Sequence, residues 1–467
     1  MISKINAFFS RILNHAKRKR IRDFKPIFEK YFSNGSVSEK NIADIFYLIK
    51  NRDVLPKYET YHRLIMQNAY IAKVSRGQVQ KRDNDKIRVV FLFQEASYWP
   101  SVKSLYEALK NDEKFEVFVV AIPTLSVPDL NKLELKPQQI QFLEDNHIEY
   151  IDARCANGSM FDIYNLKPNY VFVQIHFDGQ RVLEYKTCVM RLYTKICLIP
   201  HAFLLSASDN KELYYQSDYF RIFVPNEYHA KQLSSVTHRS DNIEITGYPR
   251  FDLYAEQLED SPLWKISKEE NPEIKRIIWS PHWWAYGHSK SLADGVLNLW
   301  DYFYNYAKTH NDVEVIVKPH PNLFNGLTQS KYISPSKADS MIAAINSLPN
   351  ASVYTGGNYI DLFKTADLIV NNSISFLAEW LPSEKPMIFF DTERKFELNE
   401  MAESILGVYY HASSISECDE KIGVLLDQKQ DPMREQRLAL IEKLDLKPNN
   451  SAEKIKQWLI EHINDSY

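Results

Sequence analysis

Apolar residues along the chain form two series of short runs, and helical stretches separate the runs within each series. Between residues 86 and 252 the runs include "IRVVFLFQ", "FEVFVVAIP", "NYVFVQIH" and "KICLIPH". The same alternation returns between residues 253 and 440, with "RIIWSP", "VEVIVKPHP", "DLIVNN" and "PMIFFD". Continuous apolar strands that alternate with helices are typical of parallel sheets covered on both faces. The pattern therefore predicts an α/β protein with two doubly wound, Rossmann-like domains that face one another across a cleft.

Two segments flank these series: residues 1–85 predict a mainly helical leader, and residues 441–467 predict a C-terminal helix. The leader opens with an apolar helical stripe and gathers seven cations before its first acid, Asp23; the stripe holds Ile5, Phe8, Phe9, Ile12 and Leu13. Residues 1–24 can therefore lie on an anionic membrane surface, with the stripe at the acyl boundary and the cations over the headgroups. A helix packed on its own protein, with a solvated basic face, explains the pattern equally well.

Composition narrows the class of protein. A chain of 467 residues is long enough for two domains and an appendage, and 45% hydrophobic residues exclude global disorder. A net charge of −3 argues against nucleic acid as a partner. The four cysteines lack the spacing of a zinc site or a disulfide framework. Because no apolar run reaches the roughly 18 to 20 residues of a membrane span and no signal peptide is evident, we expect a cytoplasmic protein.

Missing motifs narrow the chemistry further. With 12 glycines, the sequence contains neither a GxGxxG after a strand nor a GxxxxGK[ST] loop. We therefore expect no redox cofactor. The acidic run "DND", residues 83–85, precedes a strand in a lysine-rich hinge, so it predicts a solvated turn and no metal site.

Three apolar strands end in a proline beside a histidine. These endings are "CLIPHAF" with His201, "IIWSPHWW" with Ser280 and His282, and "VIVKPHP" with Lys318 and His320. Proline lacks a ladder donor and biases the preceding residue away from the helical region, so it ends the strand and restricts its exit. One such histidine would be explained by a capped turn, but three together favour a functional site at the carboxyl ends of the strands.

Two further strand ends carry polar residues that suit an anion. The motif "GYPRFD" offers Arg250 as a fork-shaped donor on a rigid turn. In "DLIVNNSISFLAEWL", Asn372, Ser373 and Ser375 end a strand and open a predicted helix, whose free N–H groups can bind phosphate. Glu379, one turn on, can accept hydrogen bonds from ribose hydroxyls. A capping serine and a surface acid explain the second segment equally well.

The order of these motifs resembles the CDP-glycerol glycerophosphotransferase family of teichoic-acid and capsule synthesis, which has the two-lobed GT-B fold. The resemblance covers roughly residues 87–440 and is closest in "GYPRFD" and "KPHP". Two features depart from the family: its "HGT" appears as His201-Ala202-Phe203, and its "DYSS…FD" reads "NNSIS…AE". These departures leave the fold in place but leave the donor and acceptor open.

The resemblance implies an acceptor domain over residues 86–252 and a domain for a CDP-activated donor over residues 253–440. It implies His201 as the base for an acceptor hydroxyl, and His320 as the group that stabilises or protonates the departing phosphate. The expected donor-binding residues are Arg250, Ser280, His282, Lys318, Asn372, Ser373, Ser375 and Glu379.

The function expected from this resemblance is transfer of glycerol phosphate or ribitol phosphate to a surface glycan or lipid-linked acceptor. The setting would be bacterial teichoic-acid, capsule or lipopolysaccharide synthesis on the inner face of the cell membrane. A GT-B glycosyltransferase that uses a nucleotide sugar is an alternative, because one fold hosts both chemistries. A non-catalytic partner in a polysaccharide assembly complex is a second alternative, although three histidines and an arginine at strand ends argue against it.

Overall fold

The structure is a computed structural model, and it describes eleven stretches of the chain. These are residues 85–125, 133–135, 137–176, 178, 180–191, 193–206, 219–237, 240–282, 290–374, 376–391 and 397–465. The predicted leader, with its candidate membrane helix, and Ser375 lie outside these ranges. Within them, no helix combines the length and the apolar character that crossing a membrane requires.

The first lobe is built on a parallel sheet. Its strands, in chain order, are β1 (Ile87–Phe93), β2 (Phe115–Ala121), β3 (Thr124–Leu125), β4 (Leu133–Glu134), β5 (Ile151–Asp152), β6 (Tyr170–Val173), β7 (Lys195–Leu198), β8 (Arg221–Val224) and β9 (Ile243–Ile245). Seven of them form one sheet in the order β5-β2-β1-β6-β7-β8-β9, while β3 pairs antiparallel with β4. The order reverses between β1 and β6, so the topological switch point of the sheet lies there.

The helices of the first lobe cover both faces of this sheet. They are α1 (Lys103–Lys110), α2 (Pro137–Asp145), α3 (Thr187–Met190), α4 (Glu227–Thr237) and α5 (Pro249–Asp252), with 3₁₀ turns at Ala96–Ser101, Ile163–Leu166 and Leu183–Tyr185. The predicted helix over "RVLEYKTCVMRLYT" is shorter than expected. Asp178 accepts hydrogen bonds from the main-chain N–H of Thr187 at 2.9 Å and from its hydroxyl at 2.8 Å. This carboxylate binds the start of α3, so the helix begins at Thr187.

The second lobe repeats the arrangement. Its strands are β10 (Lys275–Ser280), β11 (Val313–Val317), β12 (Ala351–Val353), β13 (Leu368–Asn371), β14 (Met387–Phe390) and β15 (Tyr410–Ala412), in the order β12-β11-β10-β13-β14-β15. Its helices are α6 (Lys290–Thr309), α7 (Leu323–Gln329), α8 (Pro335–Asn346), α9 (Ile360–Thr365), α10 (Glu400–Leu406) and α11 (Ile415–Ile422), which a π-helical turn, Gly423–Asp427, extends. The prediction of two doubly wound parallel-sheet domains is confirmed.

Among the described residues that follow β13, the helix predicted there is not formed. A turn occupies residues 376–379, and a 3₁₀ turn follows at Leu381–Ser383. The side chain of Asn371 explains the difference, because it accepts from the N–H of Ser373 at 2.9 Å and donates to the carbonyl of Ser373 at 2.6 Å. These local bonds compete with the start of a helix.

The C-terminal segment returns to the first lobe. After α12 (Arg434–Lys443), helix α13 (Ser451–Glu461) packs against the first sheet. The Tyr170 hydroxyl donates to the Leu459 carbonyl at 2.9 Å, and the rings of Trp458 and Phe223 meet edge to face at 5.3 Å. The first lobe therefore contains residues from both ends of the described chain. The C-terminal segment that returns from the second lobe, called the C-terminal crossing below, connects the two lobes.

Candidate active site at the carboxyl ends of the two sheets

The carboxyl ends of β10, β11 and β13 bring the predicted residues of the second lobe together. Ser280 and Asn371 are register partners at the switch point of the sheet, and both are buried. The side chain of Asn372 accepts the main-chain N–H of His282 at 2.7 Å. The main-chain N–H of His320 donates to the Pro281 carbonyl at 3.0 Å. These bonds hold the loops after β10 and β11 side by side, with the His282 and His320 rings 4.9 Å apart.

The His320 ring has a defined tautomer. The main-chain N–H of Asn322 donates to its Nδ1 at 3.1 Å, so Nδ1 is the acceptor and Nε2 carries the hydrogen of the neutral ring. Burial and the neighbouring charge of Lys318 lower the pKa of His320 to about 4. Burial, with a smaller contribution from His320, holds the pKa of His282 well below its usual range. Both rings are therefore neutral near pH 7, and His320 offers a hydrogen-bond donor without a charge.

Lys318 supplies a cation beside these rings. The residue is 5% exposed, and its Nζ lies 5.3 Å from the ring centre of Tyr359. Burial lowers the pKa of Lys318 to about 8, although the nearby carboxylate of Glu379 acts in the opposite direction. The ammonium group is therefore mostly charged near pH 7, in surroundings where water screens it weakly.

His201, at the end of β7 in the first lobe, has the opposite tautomer. Its main-chain N–H and its Nδ1 both approach the Gln174 carbonyl, at 2.9 Å and 3.1 Å. A carbonyl only accepts, so Nδ1 carries the hydrogen and Nε2 keeps a lone pair. The sequence predicted an ordinary imidazole, but burial lowers the pKa of His201 to about 3. The Tyr98 ring, 4.2 Å away, contributes to that burial.

Arg250 and Glu379 bind each other, and their expected roles at the donor phosphates and the ribose stay predictions. Their side chains are 1% and 3% exposed and form an ion pair between Nη1 and Oε1. Arg250 also donates to the Tyr359 hydroxyl at 2.7 Å and to the His201 carbonyl at 2.8 Å. Burial acts to lower the pKa of Arg250, but the Glu379 carboxylate outweighs it and raises the pKa above its ordinary value. In this structure each of the two charged groups therefore has the other as its partner.

Ser373 lies buried at the end of β13. The prediction that it stands at the start of a helix is wrong, because no helix begins there in the described part of the chain. Sequence reasoning also missed Tyr359, Tyr248 and Gln174, which position the predicted residues. Tyr248 stands inside the quoted "GYPRFD" motif, which was the one available signal. For the other two, only the fold identifies their partners. Among the described residues, no group of three histidine, cysteine or acidic side chains is arranged to hold a metal ion.

The two doubly wound parallel-sheet lobes have the arrangement of the GT-B fold. Residues 200–399 match the sequence model of the family described as CDP-glycerol:poly(glycerophosphate) glycerophosphotransferase. The match spans His201, Arg250, His282 and His320, and it confirms the resemblance that the motifs indicated. Comparison with curated protein sequences gives no significant match.

Solved structures share the fold at low sequence identity. The MnaA–UDP complex of S. aureus has a TM-score of 0.54 at 12% identity, covering 80% of this chain and 96% of that one. The UDP-GlcNAc 2-epimerase of Neisseria meningitidis bound to UDP-GlcNAc has a TM-score of 0.52 at 14% identity, covering 80% and 100%. A variant of the wall teichoic acid polymerase TagF soaked with CDPG has a TM-score of 0.51 at 14% identity, covering 92% and 98%. Identities this low establish similarity of fold alone.

Proposed function

We propose that the protein transfers a glycerol-phosphate or ribitol-phosphate unit from a CDP-activated donor to a hydroxyl of a surface glycan or lipid-linked acceptor. The observation that carries this proposal is that the two lobes present histidine rings of opposite tautomers. His201 in the first lobe keeps an acceptor lone pair on Nε2, whereas His320 in the second lobe presents a neutral Nε2–H. Proton removal and stabilisation of phosphate charge need these two opposite tautomers. The match of residues 200–399 to the glycerophosphotransferase family supports the same chemistry.

In the proposed reaction, the acceptor hydroxyl gives its proton to His201 Nε2. Its oxygen forms a new P–O bond to the phosphorus next to the polyol, and the P–O bond to CMP breaks. The departing CMP oxygen takes the electron pair and meets the Nε2–H of His320, while Lys318 compensates the phosphate charge. Phosphoryl transfer passes through a loose transition state, so positioned donors and a cation are the machinery it requires. Ser280, His282, Asn372 and Ser373 line the proposed donor site.

A screen of nucleotide-linked donors tests this function. With CDP-glycerol or CDP-ribitol and a glycan acceptor, we expect release of CMP that depends on the acceptor. Omission of the acceptor is the control, because CMP released without it reports hydrolysis. Release of a nucleoside diphosphate from a nucleotide sugar, with no CMP from either CDP donor, would indicate a glycosyltransferase. No product from any donor would favour the non-catalytic alternative.

We also propose that residues 1–24, which lie outside the described residues, bring the protein to the membrane that holds its acceptor. Each basic residue near an anionic surface contributes about 1 kcal/mol. Deleting residues 1–24 should therefore reduce sedimentation with anionic vesicles and spare activity on a soluble acceptor analogue. The full chain at high salt is the control, and it should bind more weakly than at low salt. Vesicle binding that survives both changes would favour a leader packed on its own protein.

A further inference from the structure

The two ends of the "GYPRFD" motif hold the C-terminal crossing. Gly247 has a φ of +84°, and a Cβ added there would lie 2.1 Å from Oδ1 of Asn449. The glycine therefore allows both a left-handed backbone and the close passage of the C-terminal segment. Asp252 accepts the main-chain N–H groups of Ser451 at 3.0 Å and Ala452 at 2.8 Å, which caps helix α13.

The middle of the motif holds the turn that carries His201. The Tyr248 hydroxyl donates to the Pro200 carbonyl at 2.9 Å, and Arg250 Nη2 donates to the His201 carbonyl at 2.8 Å. Two successive carbonyls are thus bound by one motif. Because the His201 ring is itself bonded through Nδ1 to Gln174, the direction of its Nε2 lone pair depends on where this main chain lies.

The other side of the Arg250 guanidinium belongs to the second lobe. Nη1 pairs with Glu379 and donates to the Tyr359 hydroxyl, and Tyr359 in turn donates to Glu379. The hydroxyl of Tyr254, just beyond the motif, donates to the Glu379 main-chain carbonyl at 2.6 Å. One hydrophobic cluster continues around these groups and includes Phe251 of the first lobe and Trp380 of the second.

A buried ion pair contributes little net stability, but it favours the one arrangement of the chain in which both partners meet. Separating the partners leaves an uncompensated charge in a buried site, which is strongly destabilising. Here the partners stand on different lobes. If the lobes move apart, Arg250 loses its contacts with Glu379 and Tyr359 together. Its guanidinium charge must then be solvated by water. Without the contacts to Glu379 and Tyr359, the Arg250 guanidinium would no longer be fixed in position beside the His201 carbonyl.

We propose that Arg250 is a positioning residue that holds His201 in its reactive orientation only while the two lobes are together. This inference rests on the proposed role of His201 as the base. It separates Arg250 from the donor phosphates and gives it control over the first-lobe histidine. Removal of the acceptor proton is thereby coupled to closure of the lobes.

The test is the ring tautomer of His201, read from ¹⁵N chemical shifts of the labelled full chain without substrate. Assignment uses the loss of the signal in His201→Ala. The parent should show one tautomer, with hydrogen on Nδ1. Arg250→Lys, whose ammonium lacks the two-sided fork, should show a mixture of tautomers. Arg437→Lys is the matched control, because Arg437 is equally buried and paired with Asp431 but has no contact with His201.

Turnover gives the second readout. Arg250→Lys should slow single turnover by roughly 10- to 100-fold, because lost orientation of a reacting group has effects of this size, with donor affinity within about twofold of the parent. Tyr359→Phe removes one hydroxyl and should shift both readouts less, so it keeps the test open if Arg250→Lys does not fold. A parental His201 tautomer in both variants would overturn the proposal. Since the tautomer needs no substrate, this outcome differs from a failure of every donor to react.

Discussion

Replacing His201 with alanine should lower turnover by roughly 10² to 10⁴ and leave donor affinity unchanged, the span expected for a lost general base. The reason is geometric: the Gln174 carbonyl accepts a hydrogen bond from Nδ1–H, so Nε2 keeps its lone pair for the acceptor hydroxyl. Single-turnover kinetics at saturating acceptor, together with direct donor binding, would measure both quantities.

The pH profile follows from the same site. Burial lowers the pKa of His201 to about 3, so the folded protein keeps this ring neutral at every pH well above that value. Protonation of His201 should therefore not reduce the rate between pH 5 and 8 in the free enzyme. Bound phosphates raise the pKa of a nearby imidazole, and this strengthens the base when the donor is present.

His229→Ala is the matched control for His201→Ala. His229 is a buried histidine of the first lobe, and its ring bonds to Asn226 at 2.9 Å. This variant should lose stability without a comparable loss of turnover. Equal turnover losses in the two variants would show that the His201 effect is one of folding, and parental turnover in His201→Ala would remove it from the mechanism.

Replacing His320 with alanine should lower turnover by roughly 10² or more, while donor affinity falls less, because the charge that it meets grows during the reaction. Pro319 and Pro321 restrict the backbone on either side, and the Asn322 N–H fixes the tautomer, so the Nε2–H is aligned before the reaction begins. A donor that needs no reorganisation stabilises developing charge more than a mobile one.

His320→Gln discriminates between the two roles left open for this residue. Burial and Lys318 lower the pKa of His320 to about 4, so the ring acts as a neutral donor near pH 7. A glutamine amide can replace a neutral donor but cannot give a proton, so we expect partial recovery of the alanine variant's loss. His310→Ala, on an exposed residue of the second lobe, is the control and should match the parent. If His320→Ala folds and turns over like the parent, "KPHP" is a capped turn.

The local pattern was sufficient to predict both sheets and the three histidine-bearing strand ends. Apolar runs such as "VEVIV" and "KICL" identify buried parallel strands, and each following proline ends its strand within one or two residues. Short-range patterns failed at β13, where "SFLAEWL" has helical spacing but Asn371 folds the chain back on Ser373. The hydrogen bonds of the Asn371 side chain that compete with the helix are also local, but the spacing of apolar residues does not predict them.

The amino-acid pattern was enough to predict the two doubly wound lobes, the family resemblance and the positions of His201, His282 and His320 at strand ends. These properties follow from periodicity and from proline, which act over a few neighbouring residues. The tautomers of His201 and His320 and the pairing of Arg250 with Glu379 could be read from the folded structure alone. Each depends on a partner brought close by the fold, such as the Gln174 carbonyl or a carboxylate of the other lobe. Burial, which sets the charge of these groups, also exists only after the lobes have packed together.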